Sequence, residues 1–205
     1  MKLKTLFSQL YQFRIENDIV DKDYSKFVEA GEMITKIKRM PFSDEEIQLL
    51  WDNIDKPYVD SILIMIYTSM RVGELLIIET KNIDLEKRIM IRGIKTKAGT
   101  NRTIPIHEKL VPLIDMSKEY LITSPTGKKM SYNHYIQRQF TLLMKELKMN
   151  HLPHDCRYTT ATLLDNTKVD RTLIELIFGH SSSDVTERVY THKTSGQLVE
   201  VINKI

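Results

Sequence analysis

Apolar residues near the start of the chain recur every three or four positions. Leu3, Leu6, Phe7, Leu10, Tyr11, Phe13 and Ile15 keep that spacing, which predicts an amphipathic helix over residues 2–17, since side chains three and four apart share one helical face. A second short helical piece is expected over Tyr24–Ala30, and Gly31 with the basic stretch TKIKRMP reads as a linker. In SDEEIQLLWDNI, Ser43 stands three residues ahead of Glu46 and just before an apolar run. That is the pattern of a capping box, in which hydroxyl and carboxylate satisfy backbone N–H groups at a helix start. Pro57 is expected to open the next helix, which carries ILIMIY from Ile62 to Tyr67. A helix that is apolar all round has no face for water and belongs at the centre of a core.

From Asn82 the texture changes. NIDLEKRIMIRG and RTIPI are rich in β-branched residues around turn signals, which predicts a sheet of two or three short strands. KTKAGTN lies between two of these strands as a basic hairpin loop. Helical patterns return near 107–116, 131–148, 156–166, 170–178, 183–191 and 195–203. The expected fold class is mainly α with a small antiparallel β-sheet, an α+β arrangement.

Composition narrows this picture. The chain has 205 residues, 41% of them hydrophobic, enough for one sizeable core or one domain plus a fragment of another. Cys156 is the one cysteine, so no intrachain disulfide can form, which fits a reducing compartment. ILIMIY is too short to span a bilayer. The opening MKLKTLFSQLYQ lacks the apolar core of a signal peptide, so a cytoplasmic protein is expected. Net charge is only +3, but it is unevenly spread. Pro41–Ile66 holds six acidic residues and one basic; Lys81–Pro105 holds seven basic and two acidic; Lys128–Arg157 holds six basic and two acidic. The two basic blocks suit a surface facing a polyanion, though ordinary solvated charge would look the same.

Several polar residues sit at predicted element boundaries. Arg71 follows the buried helix in TSMRVGEL, and Lys95 lies in the hairpin GIKTKAG. His154 and Arg157 stand near a helix start marked by Pro153 and Asp155, His180 follows Gly179, and Tyr190 closes FGHSSSDVTERVY. Singly, each has an ordinary structural explanation as ion pair, cap or packing. Together they form a chemical kit. Two arginines can each present a planar fork to a phosphate, and two histidines can bond its oxygens or move a proton. A lysine can protonate a leaving alkoxide, and a tyrosine hydroxyl can attack phosphorus. Fixed cations then stabilise the charge that develops on the phosphoryl oxygens without a metal. Cys156 beside His154 and Asp155 lacks a second ligand pair with metal spacing, and is expected to be a small core-facing helix residue.

TSMRVGEL, IKTKAGTNRTIPI, HDCRYTTATLL and GHSSSDVTERVYTH, in that order, resemble the signature boxes of tyrosine recombinases, most nearly the integrases of phages and conjugative transposons. The resemblance runs from Pro41 to the C-terminus. It implies that Arg71 and Arg157 bind the scissile phosphate, with His180 as a further phosphate ligand. It implies His154 as general base, Lys95 as general acid and Tyr190 as nucleophile. Lys97 is the alternative acid, because it shares a face with Lys95 in an extended hairpin. Glu74, one turn beyond Arg71, reads either as an orienter of basic groups or as a helix ion pair. Arg102 is expected to support or contact DNA, and His192 to contact the DNA backbone or to pack.

Tyrosine recombinases carry a helical core-binding domain ahead of the catalytic one. By that resemblance residues 1–40 are expected to be the last helix of such a domain plus a linker, and 41–205 the catalytic domain. The chain is then either a piece of a longer enzyme or an unusually short one. SGQLVEVINKI is expected to be an amphipathic tail, exchanged with a neighbouring protomer in a tetrameric DNA synapse or packed in cis. The implied activity is site-specific cutting and rejoining of double-stranded DNA through a 3′-phosphotyrosine, moving a mobile element without cofactor or metal. The resemblance also points to DNA-bending or directionality factors as partners, and no membrane role is implied. The alternatives are topoisomerase-like relaxation and a DNA-binding module with little activity.

Overall fold

The computed structural model describes residues 2–28, 40–91, 102–179 and 194–205. The chain divides into two compact units, Met1–Lys38 and Arg39–Ile205. In the first, helix α1 (Lys2–Glu16) matches the amphipathic pattern, and Tyr11 tilts against Tyr24 with ring centroids 6.2 Å apart. The helix expected over Tyr24–Ala30 is shorter, a single 3₁₀ turn, Tyr24–Phe27. Asp23 caps it by accepting from the Ser25 N–H at 2.9 Å, and Val28 N–H closes it onto the Ser25 carbonyl.

The second unit opens with α2 (Asp44–Asp52), whose capping box forms as its residues require. Ser43 Oγ accepts from Glu46 N–H, and the Glu46 carboxylate accepts from Ser43 N–H at 2.8 Å. Helix α3 (Val59–Thr68) begins two residues after Pro57 rather than at it. Val59 N–H bonds back to the Lys56 carbonyl and Tyr58 is left-handed (φ 68°), so Pro57 belongs to a turn that precedes the helix. Ile62 to Ile66 are fully buried, which makes α3 the centre of the core. It packs most extensively on α7 (Asp155–Asn166). Ser69, left-handed at φ 60°, ends α3 and turns the chain into the short helix α4 (Val72–Leu75).

Strands β1 (Ile83–Asp84), β2 (Ile89–Ile91) and β3 (Thr103–Pro105) form an antiparallel sheet in the order β1-β2-β3. Met90 pairs with both Ile83 and Ile104 and is fully buried, while its neighbour Ile91 is exposed. Ile89 is buried as well, so the strand is covered at its first two residues and open to water at its last. The segment expected as a helix over 107–116 is instead a 3₁₀ stretch, Glu108–Leu113. Pro112 inside it has no N–H to donate, which restricts the run.

The long helix expected over 131–148 contains a change of gauge. Helix α5 (Tyr132–His134) passes into a π segment, Tyr135–Phe140, and then α6 (Thr141–Glu146). The wider turn puts residues five apart on one face, so Tyr135 and Phe140 are both buried. Tyr135 Oη lies 2.7 Å from Ser61 Oγ, which satisfies both hydroxyls inside the core. Helix α8 (Arg171–Phe178) and helix α9 (Ser195–Ile202) complete the unit. Leu198, Val201 and Ile202 of α9 form a second apolar cluster with Leu164, Leu173, Ile177 and Phe178. Asn203 Oδ1 accepts from Glu108 N–H at 3.0 Å, and His107 Nε2 lies 2.8 Å from the Ile205 carbonyl. The C-terminal segment thus packs in cis. The helix expected over 183–191 and the hairpin KTKAGTN lie outside the described residues.

Candidate functional site

Local backbone geometry brings the first arginine into place. The left-handed Ser69 ends α3, and Arg71 begins α4 with extended torsions. Its N–H donates to Glu74 Oε2 at 2.8 Å, and its guanidinium lies 3.9 Å from the same oxygen with the side chain 47% exposed. Glu74 is itself buried, and its other oxygen accepts from Arg102 Nη1 at 3.0 Å. The carboxylate therefore bridges two guanidinium groups, pairing with Arg71 three residues before it and with Arg102 from the sheet.

Arg157 enters from α7, one turn after His154. It is only 4% exposed. Nη1 donates to the Ser69 carbonyl, Nη2 donates to the Phe178 carbonyl at 3.0 Å, and the guanidinium lies 4.8 Å over the Phe178 ring. These bonds hold the plane of the fork and join the end of α3 to the end of α8. Burial, then the charges of Arg71 and Arg102, pull the Arg157 guanidinium down to about 10, with Glu74 opposing. At neutral pH it stays protonated. Three guanidinium groups around one carboxylate leave an excess of positive charge that an anion would relieve.

His154 stands at the start of α7, exposed, with its ring edge-on to Tyr158 at 5.2 Å. Arg71, His154 and Arg157 line one groove of about 940 Å³, which continues past Tyr158, Lys168 and Arg171. The structure thus brings these three residues together. Lys95, Lys97, His180, Tyr190 and His192 lie outside the described residues. Gly179, the residue before His180, is the left-handed cap of α8 (φ 61°).

Two features are placed by the fold and not by local sequence. Arg102, expected to support or contact DNA, is turned inward with its side chain 10% exposed, because Glu74 and the Ile177 carbonyl bind its fork. His151 was not singled out by its sequence context. It stacks on Phe42 with centroids 3.8 Å apart, and its Nε2 lies 2.9 Å from Glu46 Oε2. Phe42 N–H donates to Thr159 Oγ1, and Asp155 Oδ2 accepts from Leu152 N–H at 2.7 Å. This cluster pins the start of α7, and hence His154 and Arg157, to the start of α2. His151 and Glu46 are 105 positions apart, so local pattern carries no signal for the pair. Cys156 is fully buried as expected, and burial raises its thiol pKa.

Residues 41–197 match the phage integrase family. A tyrosine recombinase XerC of Corynebacterium glutamicum is 30% identical over 156 residues, covering 70% of this chain and 49% of that protein. The chain therefore spans about half the length of that relative. A tyrosine recombinase XerA of Pyrococcus furiosus is 28% identical over 230 aligned positions, covering 98% of this chain and 78% of that protein. Among solved structures, the Tn1549 transposon integrase in complex with a circular intermediate DNA superposes with a TM-score of 0.73 at 21% identity, over 94% of this chain and 74% of that one. A lambda integrase dimer bound to a core site gives 0.70 at 17% identity, over 87% and 70%. At these identities the likeness establishes the fold. Among the described residues no helix is long and apolar enough to cross a membrane.

Proposed function

Because the chain belongs to the phage integrase family, by the match over residues 41–197, we propose that it cuts and rejoins double-stranded DNA at specific sites through a phosphotyrosine intermediate. The observation that carries this reading is the convergence of Arg71, Arg157 and His154 on one groove, with the Arg157 fork held by two carbonyls and the Arg71 backbone N–H held by Glu74. Such preorganised donors stabilise charge that develops on phosphoryl oxygens. Tyr190 Oη attacks the scissile phosphorus and gives its proton to His154. The bond from phosphorus to the 5′-oxygen breaks, and Lys95 supplies the proton that oxygen needs. A 5′-hydroxyl from a partner strand then attacks the phosphotyrosine, the P–O bond to Tyr190 breaks, and the protons return. One phosphoester is exchanged for another, so the energy of the bond is conserved and the step asks for no nucleotide or metal.

His180 is assigned as a further phosphate ligand, Lys97 as the alternative acid, and His192 as a DNA-backbone contact. Residues 41–205 are assigned as the catalytic domain and 1–40 as the end of a core-binding domain with its linker. The partners are duplex DNA and further protomers, with tail exchange in the assembly and DNA-bending or directionality factors setting direction. Mobile-element integration or excision in the cytoplasm is the corresponding biological event.

The deciding experiment is trapping on a nicked substrate whose cleaved strand diffuses away. The chain should form a denaturant-resistant DNA adduct in excess chelator, and Tyr190→Phe should form none while binding DNA nearly as well. An adduct with the Phe variant would exclude Tyr190 as nucleophile. Plasmid relaxation without recombination of paired sites would favour the topoisomerase-like activity instead.

A further inference from the structure

Arg102 is the one arginine of the cluster that turns its fork inward from the sheet. It stands immediately before β3, its side chain is 10% exposed, and it reaches two other elements at once. Nη1 donates to Glu74 Oε1 at 3.0 Å, while Glu74 Oε2 holds the Arg71 N–H at 2.8 Å. Nη2 donates to the Ile177 carbonyl in the last turn of α8. Its aliphatic stem lies against Gly179, where an added Cβ would come within 2.7 Å of Arg102 Cδ. One planar side chain thus sets the spacing between the start of α4, which carries Arg71, and the C-cap of α8, which His180 follows in sequence.

We infer that Arg102 is a positioning residue for phosphoryl transfer: it fixes Arg71 through Glu74 and fixes the end of α8 through the Ile177 carbonyl, rather than contacting DNA. This rests on the recombinase reading above. Geometry favours arginine over lysine here, because two acceptors in different elements need two N–H vectors in one rigid plane, whereas an ammonium is a point donor on a flexible stem. Gly179 is coupled to the same contact, since a larger residue there meets the Arg102 stem in addition to the strain of its positive φ.

The test compares Arg102→Lys and Arg102→Gln with the unsubstituted chain in single-turnover cleavage of two nicked substrates. One has an ordinary scissile phosphodiester. In the other a methylphosphonate replaces it, which removes the negative charge that Arg71 is held to stabilise. Loss of a partner that orients a catalytic group typically costs about 10–100-fold, and that loss is expected on the phosphodiester. On the methylphosphonate the loss should shrink to within about threefold, since the electrostatic contribution of Arg71 is then small. The salt dependence of DNA binding should be unchanged. A phosphate contact would instead lower the slope of log affinity against log salt by about 0.9.

Equal losses on both substrates would mark a general structural role and overturn the inference, as would a changed salt slope or undiminished cleavage. If Arg102→Gln does not unfold cooperatively, Arg102→Lys, which retains the buried charge, carries the same comparison. No adduct from the unsubstituted chain would overturn the recombinase reading and this inference with it. An adduct from the unsubstituted chain with equal losses in the variants would overturn this inference alone.

Discussion

Arg157 shows how much of the site depends on single side chains. Its fork joins the Ser69 and Phe178 carbonyls, at the ends of two different helices, while it also lines the groove. Lysine cannot reproduce both bonds in one plane. Arg157→Lys should therefore lower single-turnover cleavage about 10²–10³-fold, the range for loss of one preorganised donor, with a much smaller change in DNA affinity by filter binding. His107 makes a prediction about pH. Burial first, then Lys109 and more weakly Arg88, hold its pKa below the ordinary value, against the Ile205 carbonyl and Glu108. Its Nδ1 accepts from Lys109 N–H at 3.0 Å, which also requires that nitrogen to be unprotonated. The unfolded chain then binds the proton more readily than the folded one. Stability is fully present above the unfolded value of about 6.5 and is lost as pH falls through the depressed folded value. Urea midpoints measured at pH 7.5 and 5.5 should fall with acid, and His107→Gln should reduce that fall. An unaltered fall in the variant would assign the effect elsewhere.

At the scale of elements, helix α9 is held by its apolar stripe and its cap. Ile202 is fully buried in the cluster with Leu173, Ile177 and Phe178, and Thr194 with Gln197 forms a capping box. Ile202→Ala should cost about 2–5 kcal/mol in urea unfolding, the usual range for truncating a buried aliphatic side chain. Thr194→Ala should cost about 1 kcal/mol. Both helix and stripe were legible from Leu198, Val201 and Ile202, because amphipathic spacing is a local property. The π segment was not. Nothing local distinguishes Tyr135–Phe140 from ordinary helix, and the wider turn follows from the need to bury two aromatic rings five positions apart. Pro57 misled for a related reason. A proline is compatible with a first helical position and equally with the turn before it, and the left-handed Tyr58 decides for the turn.

For the whole molecule, the distribution of buried apolar side chains separates the two units. Every buried hydrophobic residue among those described lies between Phe42 and Ile202. A chain beginning at Arg39 should therefore keep a single cooperative unfolding transition at nearly the same urea midpoint. Loss of cooperativity would show that the first unit completes the core. On the proposed function, DNA affinity should fall steeply with salt, since the basic blocks Lys81–Pro105 and Lys128–Arg157 would supply a phosphate-dominated attraction. Three or more phosphate contacts predict a drop of at least about 40-fold between about 50 and 200 mM salt. Affinity that barely changes over that range would contradict a phosphate-dominated interface.

What the sequence determined by itself was whatever depends on near neighbours and on the kinds of side chain present. The apolar run Ile62–Tyr67 marked a buried segment at the centre of the core, and Ser43 with Glu46 marked the start of α2 by satisfying their own backbone N–H groups. The ordered boxes around Arg71, His154 and Arg157 were enough for the family to be recognised. Tertiary structure alone decided which way Arg102 faces, that Glu74 bridges two arginines, and that Phe42 stacks on His151. These depend on partners far away in sequence, whose distances are set by how α3, α7, α8 and the sheet pack. An arginine carries the same charge and the same five donors in any setting, and only the folded positions of its acceptors determine whether it meets DNA or holds the site in shape.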